Sequence, residues 1–323
     1  NTSSIKTKRK MDLEAHIVPE TIQAIYRHYE EKRKNEHRRH LGGSQIGNEC
    51  RRALWYQFRH AWSPKFEGRL LRLFETGDRE ENRIVSNLRA VGVTVWERDP
   101  DTGKQVSFEA CGGHFALSLD GVGEGFKESS KPHTLEFKTM NDRNFKALSN
   151  MGLEKTKPIY WAQCQVGMML SKIDRCYFFA VNKNTDEMYG ERIKLNRREA
   201  QKLLDKAHEV VFAKTPPTRI AEDPSDWRCK FCPYFAICHG CKIPEVNCRT
   251  CCHSTPEEDG TWSCVLNKEG DCCDNHLFIP QMMPKDLEVT DAGEDWVEYE
   301  DQDTGEVFRN CENSRELFEG RMK

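Results

Sequence analysis

Apolar and polar positions alternate in short runs through the middle of the chain and recur at helical spacing on either side. "VTVWER" (93–98), "QVSFEA" (105–110), "HFALSLDGV" (114–122) and "HTLEFKTM" (133–140) read as strands, because a strand turns successive side chains to opposite faces. Residues 158–171 and 196–214 read as helices, with "RCYFFAVN" and "EMYGERIKL" as strands between them. Upstream, Pro19 opens a helical pattern to about residue 39, and "SQIGNECRRALWYQFRH" (44–60) reads as a helix with Ser44 as its N-cap. Residues 66–91 read as a long helix whose core face carries Leu70, Leu73, Phe74, Ile84, Val85 and Leu88. "WVEYEDQDTGEVFRN" places two alternating runs around a glycine-containing turn, which predicts a hairpin. No fixed-period repeat is present.

These patterns predict an α/β fold in four parts. Residues 1–18 form a flexible N-terminal arm, 19–240 the main domain with its N-terminal helices, 241–280 a metal-binding module, and 281–323 an acidic tail with a β-hairpin. A length of 323 residues suggests about two domains. No apolar run reaches membrane-spanning length, so a cytoplasmic protein without a membrane partner is expected. The net charge of −3 averages regions of opposite sign: residues 27–40 hold six Lys/Arg against three Glu, and 286–306 hold ten Asp/Glu and no Lys/Arg. The basic run is a solvated face or a contact for a DNA backbone. The acidic run is a solvated face or a dock for a basic partner such as a single-strand annealing or recombination protein.

The chemistry starts at "LEFKTMNDRNF" (135–145). Glu136 and Lys138 lie two apart on a strand and share a face. Asp120 ends the preceding strand pattern, and a loop rich in Gly, Ser, Lys and Pro would bring it beside Glu136. Paired carboxylates suit Mg²⁺ or Mn²⁺. Such an ion polarises a phosphodiester and acidifies bound water, while Lys138 would orient that water or meet charge developing on phosphorus. The bland alternative is a surface ion pair, since Glu-x-Lys is common. Glu81, one helical turn after Gly77, is a further candidate ligand. Gln163 on the helix after the strands is either a support or a solvated residue. Phe145 is a candidate wedge at a DNA end, and "GVGEG" (121–125) reads as a turn because it opens no helix.

The order Gly77-x3-Glu81, Asp120-Gly121, Glu136-Phe137-Lys138 and Tyr160-x2-Gln163 resembles the PD-(D/E)XK nuclease superfamily, in particular its RecB-like and phage-lambda-exonuclease-like branches. "KPIYWAQCQVGMMLSKIDRCYFFAVNKNT" is especially similar to the phage recombination exonuclease pattern. The resemblance covers residues 41 to 200. It implies a restriction-endonuclease-like mixed sheet flanked by helices and two-metal hydrolysis of DNA at double-stranded ends or on single strands, with 5′→3′ resection favoured. End-trimming of single-stranded or splayed DNA, which the cysteine pattern suggests, is left open. It implies Asp120, Glu136 and the backbone carbonyl of Phe137 as metal ligands, Lys138 as the catalytic lysine, and Gln163 as support. Glu81 fills the slot that RecB-like members give to His, a departure that leans toward the lambda type.

Cysteine is the strongest compositional signal: 15 in all, ten of them between Cys229 and Cys273. An odd, clustered set without a secretion signal reads as metal ligation rather than disulfides. Cys229-x2-Cys232-x5-Cys238 lacks a fourth ligand, and Cys50 is the candidate. One Cys before the nuclease core and three after it resembles AddB-type helicase–nucleases and CRISPR-adaptation nucleases, which implies a [4Fe–4S] cluster stapling the two ends of the domain. Spacing alone serves iron–sulfur and zinc equally. Arg51 and Arg52 beside the staple touch DNA phosphate or are two exposed arginines. A second set, Cys248, Cys251, Cys264 and Cys273 with His276 or His253 as substitutes, has zinc-knuckle spacing, and metal would supply the folding free energy of so polar a segment. Cys111, Cys164 and Cys176 read as core, and Cys241, Cys252 and Cys272 as bystanders. Two rival readings stay open: a catalytically silent iron–sulfur and zinc DNA-binding protein, and a redox-sensing scaffold.

Overall fold

The computed structural model describes residues 18–33, 38–267, 273–294, 296–310 and 314. Most of the expected N-terminal arm, Cys272 and most of the last thirteen positions of the acidic tail lie outside the described residues. In chain order the elements begin with α1 (Glu20–Lys32), β1 (Leu41–Gly42), α2 (Arg51–Phe58), α3 (Gly68–Ala90), β2 (Thr94–Trp96), β3 (Ser107–Ala110), β4 (Phe115–Ser118) and β5 (Gly121–Glu124). They continue with β6 (His133–Met140), α4 (Asp142–Met151), α5 (Leu153–Thr156), α6 (Pro158–Ser171), β7 (Arg175–Asn182), β8 (Met188–Lys194), α7 (Arg197–Phe212) and α8 (Phe235–Cys238). The last are β9 (Ser254–Pro256), β10 (Trp262–Cys264), β11 (Leu287–Ala292), β12 (Val297–Asp301) and β13 (Val307–Asn310). Among the described residues no helix is long and apolar enough to cross a membrane.

The chain divides into two compact units, Asn1–Asn35 with Lys65–Thr76 and Glu36–Pro64 with Gly77–Lys323. The smaller holds α1 and the start of α3. Its contacts are polar and aromatic: Gly68 N–H donates to Glu30 Oε1 at 2.6 Å, Tyr29 OH to Glu75, and the Arg33 guanidinium lies 4.2 Å from the centre of the Phe66 ring. None of the α1 residues is buried, and Leu73 and Phe74, expected in the core, are exposed. The helical period there is real, but an apolar stripe is buried only where another apolar surface covers it.

The larger unit is built on a mixed five-stranded sheet in the order β2-β5-β6-β7-β8. Only β6 and β7 run parallel; α4, α5 and α6 carry the crossover between them. Alternation splits the sheet's two faces. Leu135, Phe137, Phe179 and Val181 pack with Ile84, Val85 and Leu88 of α3. Met140, Phe178, Ala180 and Cys176 pack with Phe145, Leu148, Cys164 and Met168. Phe145 is therefore core, not an exposed wedge. Phe145→Ala is expected to cost about 3–5 kcal/mol of stability, which chemical denaturation would check.

Two expectations from the pattern need correction. The apolar run 114–122 is two strands in different sheets: β4 pairs with β1 and β3, while β5 pairs with β2 and β6. Asp120 sits at the hand-over. The helix expected from Ser44 begins only at Arg51; residues 43–45 form a single 3-10 turn, and Cys50 caps α2 by accepting a hydrogen bond from Ala53 N–H at 3.4 Å.

A second core joins α2, β4, α6 and α7 to the segment that follows α7, through Trp55, Phe58, Phe115, Val166, Val210, Tyr234, Ile237 and Ile279. Arg59 is buried within it and donates to the carbonyls of Arg249, Ser254 and Ala213. Trp55 Nε1 donates to Ala213 O at 2.8 Å. In the C-terminal segment β11, β12 and β13 form an antiparallel sheet that contains the expected hairpin.

Candidate active site and thiol cavity

β6 is buried for its first five residues, then opens at Lys138 and Thr139. Glu136 and Lys138 stand on the face toward α6. Asp120 precedes Gly121, which lies opposite Leu135, so the turn before β5 sets its carboxylate against the β6 backbone. Asp120 Oδ2 accepts from Phe137 N–H at 2.7 Å. The Lys138 ammonium forms an ion pair with Glu136 Oε1 and donates to Phe137 O at 3.0 Å. From α6, Gln163 Nε2 donates to Glu136 Oε2 at 2.8 Å, and one turn earlier the Tyr160 ring centre lies 5.5 Å from the ammonium. The chain at Gly47 fixes the start of α6: a Cβ there would stand 2.5 Å from the Ile159 Cα. Any side chain at 47 would push Tyr160 and Gln163 away from the strand.

The charges converge. Glu136 is 2% exposed, and burial pushes its carboxyl up to about 8; Lys138 opposes the shift while Asp120 and Glu81 add to it. Burial and the neighbouring Asp120 push Glu81 up to about 7 against the pull of Lys138. Asp120 is also raised by burial, with Lys138 and the Phe137 N–H holding it down. Burial works against the Lys138 ammonium, but Glu136 and Asp120 outweigh it and keep it charged. Three carboxyl groups therefore share one ammonium, and the natural relief is a further cation. All the donors are oxygens, which suits Mg²⁺ or Mn²⁺. Gln163 Oε1 is buried and takes no hydrogen bond, and Glu136 Oε1 is met only by the Lys138 ammonium. Among the described residues no three His, Cys, Asp or Glu side chains are arranged to hold a metal ion as they stand. At this site the ammonium leans on the carboxylate a metal would use.

A carboxyl whose folded pKa lies above its unfolded value keeps a proton that the unfolded chain has released. The stability from that source is present below the ordinary value of 4.5 and is lost as pH rises through about 7 for Glu81 and about 8 for Glu136. Metal-free protein is thus expected to melt at lower temperature at pH 8.5 than at pH 5.5, and Glu81→Gln to flatten the dependence. Mn²⁺ should stabilise more at high pH, because its ligands must shed protons. Scanning calorimetry across that range checks both; a flat profile would mean that the carboxyls are not desolvated together.

Beside Asp120 and Gln163 lies a cavity of 360 Å³, also lined by Arg38, His40, Ser44 and Ser118. Alternation and spacing could not find these four: they come from the loop before β1, the 3-10 turn and the end of β4, and only the folded chain brings them together.

The four cysteines of the expected staple come together. Cys50 at the start of α2, Cys229 and Cys232 in the loop after α7, and Cys238 at the end of α8 line one cavity of 310 Å³. Burial raises the Cys229 and Cys232 thiols, and Cys50 and Cys238 add to the shift in each. Thiols are the donor type that an iron–sulfur cluster or zinc takes, but no three of these four are arranged to hold a metal ion as they stand. Arg219 donates from Nε and Nη2 to Cys238 O at 3.0 and 2.9 Å. Arg51 is exposed and pairs with Glu209 at 3.1 Å. Arg52 does not fit the phosphate contact expected of it. It is 8% exposed, and its guanidinium donates to Tyr56 Oη, Pro217 O and Gln281 O.

The second cysteine set is spread over a turn, an isolated bridge, one strand and a loop. Cys248 opens a 3-10 turn, Cys251 bridges to Phe278, and Cys264 ends β10 opposite Ser254. Cys273 lies just upstream of His276, whose Nε2 lies 3.2 Å from Thr250 Oγ1. A hydrogen bond from Cys252, with backbone N–H groups and His253, pulls the Cys251 thiol down.

No family model matches the chain, and no curated protein sequence matches it. Among solved structures it is similar to SSO0001, with 14% identity over 68% of this chain and 96% of that one and a TM-score of 0.39. It is also similar to LHK-Exo, an alkaline exonuclease from Laribacter hongkongensis. The identity is 15%, over 57% of this chain and 90% of that one, with a TM-score of 0.38. For LHK-Exo in complex with dAMP the values are 14%, 53%, 85% and 0.36.

Proposed function

We infer that the chain is a divalent-metal-dependent DNA exonuclease that hydrolyses phosphodiester bonds, with 5′→3′ resection in recombination or end processing as its favoured role. The observation that carries this reading is the convergence of Asp120, Glu136 and Glu81 on the single Lys138 ammonium in one half-buried site. Bound Mg²⁺ or Mn²⁺ would be held by Asp120, Glu136, Glu81 and the Phe137 carbonyl, and would polarise the phosphate and acidify water. Lys138 meets the charge that builds on phosphorus or orients the attacking water. Gln163 fixes the Glu136 carboxylate, and Phe137 N–H fixes Asp120. The adjoining cavity, with Arg38 and His40 in its lining, offers cationic and hydrogen-bonding groups to a DNA phosphate.

In the same reading Cys50, Cys229, Cys232 and Cys238 carry a [4Fe–4S] cluster. Cys248, Cys251, Cys264 and Cys273, with His276, carry zinc. Incubating the chain with 5′-labelled and 3′-labelled duplexes in Mg²⁺ or Mn²⁺ tests the activity and its direction together. Mononucleotides released first from the 5′ label support the reading. Intact DNA in both metals would sink it in favour of a silent binding protein.

A further inference from the structure

Two large aromatic side chains stand in solvent at the mouth of the thiol cavity: Trp227 is 78% exposed and Phe231 88%. Apolar groups this large are normally covered at least in part. They sit on "DWRCKFC" (226–232), where aromatic and cationic residues interleave. The loop is held by its own turns: Cys229 N–H donates to Asp226 O at 2.9 Å, and Cys232 N–H to Cys229 O at 3.0 Å. Asp226 also accepts from Arg228 N–H and pairs with its guanidinium at 2.8 Å. The Lys230 ammonium lies 5.7 Å from the centre of the Phe231 ring. The cavity behind the loop has three arginines in its lining, Arg52, Arg219 and Arg228, and no carboxylate.

We propose that this loop is a stacking platform for single-stranded DNA, with Trp227 and Phe231 taking bases and Lys230 a phosphate, while Asp226 holds Arg228 in place. The proposal deepens the reading of the chain as a DNA exonuclease and rests on it. Single strands suit such a surface because every base offers a flat face and every linkage a charge. The alternation of rings and cations on one short, pinned loop favours the nucleic acid.

The test measures anisotropy of a labelled oligothymidylate and of a blunt duplex of equal length on the full chain, with no divalent metal added. Trp227→Ala and Phe231→Ala should each weaken oligothymidylate binding by roughly tenfold and change duplex binding by less than about twofold. Trp227→Phe should keep most of the affinity, and Lys230→Ala should flatten its salt dependence. Photo-crosslinks from iododeoxyuridine should map to Trp227 or Phe231. Equal oligothymidylate affinity in a folded double variant would overturn the proposal and leave the pair to a protein partner. Crosslinks confined to other segments would overturn it too. Because no hydrolysis is involved, loss of binding in the variants would support the platform even if the parent cuts nothing.

Discussion

Glu136→Ala and Lys138→Ala should each abolish DNA hydrolysis, with rates falling by at least about 10³-fold in Mg²⁺ or Mn²⁺. Each removes a different part of one device. Without Glu136 the site loses its most buried carboxylate and leaves the Gln163 amide without its acceptor. Without Lys138 three carboxyl groups face one another with no ammonium between them. Because these groups act together, the double variant should be hardly slower than either single one. Their stabilities should diverge: Glu136→Ala removes a carboxyl whose ionised form burial disfavours, whereas Lys138→Ala leaves Glu136 buried without its ammonium. End-labelled DNA with thermal melts of the same preparations measures both. Hydrolysis that survives Glu136→Ala at near-parental rate would remove the carboxylate site from the reaction.

The second large effect is expected from Cys50→Ser. Cys50 lies at the N-terminus of α2, and its three partners lie beyond α7, so a metal held by all four closes a loop of about 180 residues. By the estimate used for a covalent cross-link, such a closure is worth on the order of 5 kcal/mol. With the proposed cluster in place in the parent, the variant should hold less iron and unfold at markedly lower denaturant. Elemental analysis with visible absorption of anaerobically prepared protein, followed by denaturation, checks both. A full complement of iron in Cys50→Ser would take that residue out of the site, and a colourless, zinc-only parent would replace the cluster with zinc.

How far the pattern could be read varied with what each residue answers to. β6, β7 and α6 were legible almost to the residue, since their burial follows one period and Pro158 marks the helix start. Asp120, Glu136 and Lys138 were legible because strand geometry alone puts 136 and 138 on one face and a short loop returns the chain to 120. The break between β4 and β5 was not, because apolar residues flank Asp120 on both sides and only the partner strands differ. Leu73 and Phe74 misled because a helical stripe does not say whether anything covers it. Arg52 misled because an arginine looks exposed until carbonyls from residues 217 and 281 enclose it. Arg38 and Ser44 beside the carboxylates were illegible for a like reason: nothing local draws them together.

The same long reach has a consequence for how the protein is made. The side chains of Arg59 and Trp55, on or just after a helix of eight residues, donate their hydrogen bonds to the carbonyls of residues 213, 249 and 254. A nascent chain that has emerged as far as α6 therefore holds a guanidinium and an indole N–H without these acceptors. The ribosome must deliver the cysteine-rich segment before the first half can close. Arrested translation products ending near residue 200 should be digested quickly, and those ending beyond residue 285 should resist. Resistance already present in the shorter ones would show that the early half matures alone.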